Sequence, residues 1–229
     1  MQRVAGVDGC RSGWLVVESG LNLNRASWKI ASDWNAIDAN AEVIAVDMPI
    51  GISSSGVRQC EVEARNILSP CASRVFKTLP RGALRYPQNH WEKANQWSKS
   101  QGFGGISKQI WNIRPKIIEI DAVMSRKLQD TVHEAHPELA FARLNGGSAL
   151  QSKHTEAGLT MRRHLLEREG FGELGSWLRE LRGTGAKADD LLDACALVLT
   201  ARHVLRGSAK FLPEKSERDE RGLRMSMVF

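Results

Sequence analysis

Val4-Ala-Gly-Val-Asp8 and Val43-Ile-Ala-Val-Asp47 are two short apolar runs of near-identical form, each closing on an aspartate. Runs of this length, with β-branched residues and turn residues at their ends, predict strands buried on both faces. Gly9-Cys-Arg-Ser-Gly13 follows the first run and Trp14-Leu-Val-Val-Glu18 follows the turn, which predicts a β-hairpin. Ala26-Ser-Trp-Lys-Ile-Ala31 supplies a third strand, and Ser32 can cap a short helix over residues 33–39. The second apolar run is then a fourth strand, stopped at Met48-Pro49. The order β-β-β-α-β makes the opening of the chain α/β.

Beyond residue 50 the pattern becomes helical. Residues 58–69 and 90–100 predict helices, separated by the breakers Pro80, Gly82 and Pro87. Helical pattern resumes over 107–127, where Pro115 is expected to interrupt or begin one piece. Residues 131–136 predict a fifth strand, followed by Pro137 and a polar turn at Asn145-Gly-Gly-Ser148. Helices are then expected over 155–168, 173–181 and 188–205. The stretch from Pro213 to Arg224 is charge-dense and poor in apolar residues, which predicts a mobile tail. One α/β domain over 1–207, carrying a helical insertion over about 52–130, and a tail over 208–229 account for the chain.

A hydrophobic fraction of 42% is enough for one well-buried core in 229 residues. No apolar stretch reaches the ~20 residues that cross a bilayer, and no charged segment with a long apolar run opens the chain. The expectation is a protein with no membrane partner, in a reducing cytoplasm. Cys10, Cys60, Cys71 and Cys195 share no metal-ligand or disulfide spacing. The net charge of +6 is local: residues 58–130 carry 13 Lys/Arg against 6 Asp/Glu, and the remainder is close to neutral. Such an excess suits a polyanion, because cations displace counterions from phosphates; a solvated basic surface is the bland alternative.

The acids carry the chemistry. Asp8, at a strand end beside a glycine turn, suits a metal ligand, although Asp also opens turns for its own sake. Asp47 has the same setting, and two such acids side by side repel unless a cation lies between them; capping before Pro49 is the other reading. Asp190 and Asp193 share one face of the last helix. Macrodipole stabilisation explains Asp190, but Asp193 stands where the apolar run begins and must find a partner. Along a strand, Glu134, His136 and Glu138 would alternate onto one face, placing an imidazole between acids, with a hydrogen-bonded structural histidine as the alternative. Arg11, Lys108 and Lys116 are candidate phosphate contacts. Trp91, Trp97 and Trp111 lie nearby as stacking surfaces or, more simply, as core. Glu119 and Asp121 have no evident partner in the sequence.

In order, Val-Ala-Gly-Val-Asp8-Gly-Cys-Arg-Ser-Gly-Trp14, Ala45-Val-Asp47-Met-Pro-Ile-Gly51, Ser107-Lys-Gln109, Pro115-Lys-Ile117, Glu134-Ala-His-Pro-Glu138 and Asp193-Ala194 resemble the family called domain of unknown function 429, over about residues 3–205. That family is described as predicted nucleases of the RNase H fold. The resemblance implies a five-stranded mixed sheet flanked by helices, with the basic helical segment inserted between strands four and five. It also implies one or two divalent ions held by Asp8, Asp47 and Asp193, with Asp190 a less secure match. The Glu134–Glu138 cluster has no counterpart in the minimal RNase H fold.

The leading expectation is a Mg²⁺- or Mn²⁺-dependent nuclease acting on DNA or RNA, with Glu134 or His136 orienting water or protonating the leaving group. A nucleotide-binding phosphohydrolase or phosphotransferase of the actin-like or sugar-kinase type is the second reading, on Asp8-Gly9 before a hairpin. A non-catalytic nucleic-acid-binding protein is the third.

Overall fold

The computed structural model describes residues 2–23, 25–37 and 40–229. Its centre is a five-stranded mixed sheet in the order β3-β2-β1-β4-β5, built from β1 (Arg3–Cys10), β2 (Gly13–Gly20), β3 (Ser27–Ala31), β4 (Val43–Val46) and β5 (Val132–Glu134). The first three strands are antiparallel, and β4 and β5 run parallel to β1. This is the α/β arrangement expected from the sequence, and it is consistent with an RNase H-like fold.

Between β3 and β4 the expected helix is a single 3₁₀ turn, Trp34–Ala36. Its cap is Asp33, whose side chain accepts from the Ala36 amide, and not Ser32. Residues 38 and 39, the end of the expected helix, lie outside the described residues.

The helical insertion between β4 and β5 contains α1 (Gln59–Ile67), α2 (Trp91–Ser100) and α3 (Lys108–Val123). Pro115 does not break α3. Proline removes the amide that would bond the carbonyl of residue 111, and that carbonyl instead accepts from Gln88 Nε2 at 3.1 Å.

After β5 comes α4 (Pro137–Leu144), which the sequence reading passed over. His136 is its N-cap and Pro137 its first residue, a position proline favours because no amide is needed there. This overturns the expected alternation of Glu134, His136 and Glu138 along one strand: the three sit in a strand, a cap and a helix. The remaining helices are α5 (Glu156–Glu169), α6 (Leu174–Glu180) and α7 (Ala188–Leu205).

The expected mobile tail is a β-hairpin, β6 (Phe211–Arg218) and β7 (Arg224–Val228). Leu212, Met227 and Phe229 pack on Cys60 and Ala64 of α1 and on its C-cap Leu68. Part of the charge is paired: Asp219 meets Arg81 at 2.7 Å and accepts from the Ile52 amide at 3.0 Å. Charge density predicted disorder only because those partners are more than a hundred residues distant in sequence.

Sheet parity sorts the core into two layers. Val4, Val43 and Ala45 face α7, together with Leu15 and Val17, while Ala5, Val7, Ile44, Val46 and Val132 face the insertion. α7 is buried along most of its length and lies directly on β1. Gly6 permits this approach: a Cβ there would stand 2.0 Å from the Ala194 carbonyl oxygen and 2.5 Å from the Val198 nitrogen. All four cysteines are free. Among the described residues no helix is long and apolar enough to cross a membrane.

Candidate functional site

Three elements end at one place. The parallel register pairs Val7 with Val46, and the Asp47 amide donates to the Val7 carbonyl at 3.0 Å. Asp8 and Asp47 are therefore the next residues of two adjacent strands, on the face that α7 covers. Because α7 touches β1 at Gly6, two residues before Asp8, its Asp193 joins them. All three line a cleft of about 850 Å³ at the end of the sheet.

The acids are costly where they stand. Asp8 is 8% exposed and Asp193 1% exposed. Burial, and then Asp47 and Asp193, push the Asp8 carboxyl well above the usual range. Burial also raises Asp47. Asp193 is pushed up to about 6 by burial, against the opposing pull of Lys153. The Asp193 Oδ1 atom is buried without a hydrogen-bond partner, whereas Asp8 Oδ1 accepts from the Gly9 amide at 2.7 Å.

Lys153 is the residue the sequence did not reveal. It sits in the segment before α5, where no periodicity or motif marks it, and its Nζ donates to Asp193 Oδ2 at 2.5 Å and stands 3.6 Å from Asp189. Burial disfavours its charge, but Asp193, with Asp8 and Asp47 behind it, more than offsets this and holds the ammonium protonated. Lys153 thus supplies the positive charge that three converging carboxylates require.

The donor set suits a hard divalent cation: three carboxylates, one with an orphaned buried oxygen. As the side chains stand, however, no group of three His, Cys, Asp or Glu among the described residues is drawn together tightly enough to hold an ion. Lys153 occupies the other Asp193 oxygen.

The other expected residues divide clearly. Asp190, the third residue of α7, accepts at Oδ2 from the amide of the N-cap Lys187 at 2.8 Å and does not line the cleft. Glu134 pairs in register with Val46, on the insertion side of the sheet, and still lines the cleft at its edge. There it is bound by Arg58 and by the Ile50 amide. Arg58 also pairs with Glu61 at 3.0 Å, and it is fully buried. Glu138 bridges Arg74 and Arg162, at 2.5 Å each. His136 lines the cleft, but its Nδ1 accepts from the Glu138 amide and its Nε2 lies 3.3 Å from the Arg74 carbonyl. That pattern places the ring N–H on Nε2.

Arg11 is exposed at the cleft rim, and Lys116 lines the wall with its Nζ donating to the Gly13 carbonyl. Lys108 lies outside the cleft, 3.6 Å above the Trp91 ring. Trp111 is buried, and Trp97 packs on Tyr86 and Phe103, so these tryptophans build the insertion's core. Glu119 accepts from Trp14 Nε1 at 2.9 Å and from the Trp34 amide, and Asp121 pairs with Arg81 and Arg221. Much of the basic excess of the middle segment is likewise spent internally, at Arg58, Arg74, Arg81, Arg114 and Lys116.

No curated protein and no solved structure matches this sequence. One family model does, over residues 6–218, a span that includes the sheet, the three converging aspartates, Lys153 and the first strand of the terminal hairpin. The chain belongs to that family, described as protein of unknown function (DUF429).

Proposed function

We propose that the protein is a divalent-metal-dependent phosphodiesterase acting on nucleic acid. The observation that carries this reading is the convergence of Asp8, Asp47 and Asp193 from β1, β4 and α7 in one cleft, with a buried Asp193 oxygen left unpartnered. Mg²⁺ or Mn²⁺ held there would activate water and stabilise the leaving oxygen. Asp8 and Asp47 are positioned by paired backbone, and Asp193 by a helix seated on Gly6, so the donors come from rigid elements. Lys153 balances their charge in the metal-free protein; once released it remains at the cleft as a cation for a phosphate oxygen. His136 can serve as a proton donor through Nε2 after parting from the Arg74 carbonyl. Glu134 lines the same cleft and is held there by Arg58.

Hydrolysis of single-stranded, duplex, hybrid and branched substrates with Mg²⁺ or Mn²⁺ tests the reading. Asp8→Asn and Asp47→Asn are each expected to lose on the order of 10²–10³-fold in rate. Equal cleavage by wild type and both variants would remove the metal-site assignment.

The Lys153–Asp193 ion pair favours a second reading, a nucleic-acid-binding protein in which lysine neutralises the acids permanently. Salt-sensitive binding unaffected by chelators and by Asp8→Asn, without cleavage, would support it.

A further inference from the structure

A second groove, of about 870 Å³, adjoins the acidic cleft, and Arg11 and Lys187 line both. Arg179 and Arg182 complete its charged lining, and no carboxylate lines it. All four cations are exposed. Among the described residues the side chains of Arg11, Arg179 and Arg182 have no hydrogen bond or ion pair, unlike the arginines of the insertion that pair with buried acids. Asp190 acts on Lys187, but like charges gathered with so little counter-charge are unfavourable to the free protein, and an anion relieves them.

The groove's walls are held in place. Ser12 Oγ donates to the Thr184 carbonyl at 2.7 Å, tying the β1–β2 turn that carries Arg11 to the α6–α7 loop that carries Arg182 and Lys187. Gly185 stands at that junction with φ +83°, and a Cβ on it would meet Ser12 Oγ at 1.9 Å. Its fit to the turn therefore depends on glycine. The cationic side chains are flexible, but the backbone beneath them is fixed beside the acids.

We propose that this groove, rather than the basic insertion, carries the phosphodiester backbone of the nucleic acid whose scissile bond lies at the acidic cleft. The inference rests on the nucleic-acid reading above. No aromatic side chain lines the groove, so its contacts go to phosphates and not to bases, and binding there is independent of sequence.

The test is fluorescence anisotropy with a labelled single-stranded oligonucleotide of about 16 nucleotides, without divalent metal, titrated from ~50 to ~200 mM salt. Arg179→Ala/Arg182→Ala is compared with wild type and with Lys93→Ala/Lys99→Ala on the exposed surface of α2. The groove variant should bind about tenfold more weakly, and its slope of log affinity against log salt should flatten by about 1.4, the share of two phosphate contacts on a single strand. The α2 variant should keep the wild-type slope. Wild-type affinity and slope in the groove variant, or an equal loss in the α2 variant, would overturn the proposal. The two readings fail separately. Groove-dependent binding without any Asp8-dependent cleavage would remove the catalytic reading alone, and Asp8-dependent cleavage with unchanged binding by the groove variant would remove the groove alone.

Discussion

Asp8, Asp47 and Asp193 make up one set of polar residues, and Glu134, His136 and Glu138 the other; both sets invite a catalytic reading from sequence, and the fold treats them in opposite ways. The first set is scattered over 186 positions and converges. The second lies within five positions and reaches the same cleft from a strand, a helix cap and a helix, but its acids are held by arginines. Proximity in sequence does not fix the partners within a site. Strand register and helix docking do, because they decide which faces and ends meet. The difference shows in the partners as well. Glu134 and Glu138 are matched by arginines at ion-pair distance, whereas the three aspartates share one lysine and leave an oxygen bare.

The comparison can be broken most forcefully at Glu134. Glu134→Gln leaves Arg58, fully buried, with only part of its counter-charge, and should cost about 3–5 kcal/mol in urea unfolding. Asp8→Asn should cost far less stability, because it removes a carboxylate that burial already penalises. If Glu134→Gln leaves stability intact and abolishes cleavage, the division between a structural set and a chemical set is wrong.

Gly6 is the next point of attack. Gly6→Ala drives a methyl group into α7 backbone that cannot rotate away, so a loss of about 1–3 kcal/mol is expected, with a weaker response of melting temperature to Mn²⁺ as Asp193 shifts. An unchanged melting temperature would mean that α7 does not seat on β1 at this residue.

Lys153 sharpens the account of the aspartates. Lys153→Met removes the cation that competes for Asp193, and calorimetry with Mn²⁺ should then give about tenfold tighter binding, the equivalent of one ion-pair contact of ~1.4 kcal/mol. Weaker binding would mean that the lysine assists the metal instead of opposing it.

The metal-free protein also has an expected pH dependence. Asp193 has a folded pKa near 6, above its unfolded value, so between about pH 4 and 6 the native state holds a proton that the unfolded state has lost. Stability of the metal-free protein should therefore fall as pH rises through that window, and Asp193→Asn should flatten the slope. A stability that rises across the window in wild type and stays unchanged in the variant would exclude a strained Asp193.

Much of this was legible in the chain. The paired Val-x-x-Val-Asp runs announced two neighbouring strands, because only buried parallel strands tolerate such continuous apolar character. Asp193 was marked by the conflict between its charge and the apolar run it opens. The helix after β5 had a sequence signal, proline at its first position and an apolar run behind it, which the strand reading of 131–136 obscured. Pro115 misled in the other direction: a helix survives proline when the freed carbonyl finds another donor, and Gln88 lies 23 residues before the carbonyl it serves. The terminal hairpin was hidden for a similar reason, since its charges look solvated until Arg81 and Asp121 are brought beside them.

By itself the sequence determined the alternation of strands and helices, the acids that stand at the ends of apolar runs, and a positive charge concentrated in the middle of the chain. These depend on local periodicity and on the cost of burying charge, which a linear chain records. Only the tertiary structure decided that Lys153 faces the aspartates, that Glu134 is held by Arg58, and that unpaired cations line a groove beside the cleft while most buried ones are spent. Each of those outcomes is a pairing across dozens of residues. A charge in sequence has no fixed counter-charge until register and docking choose one.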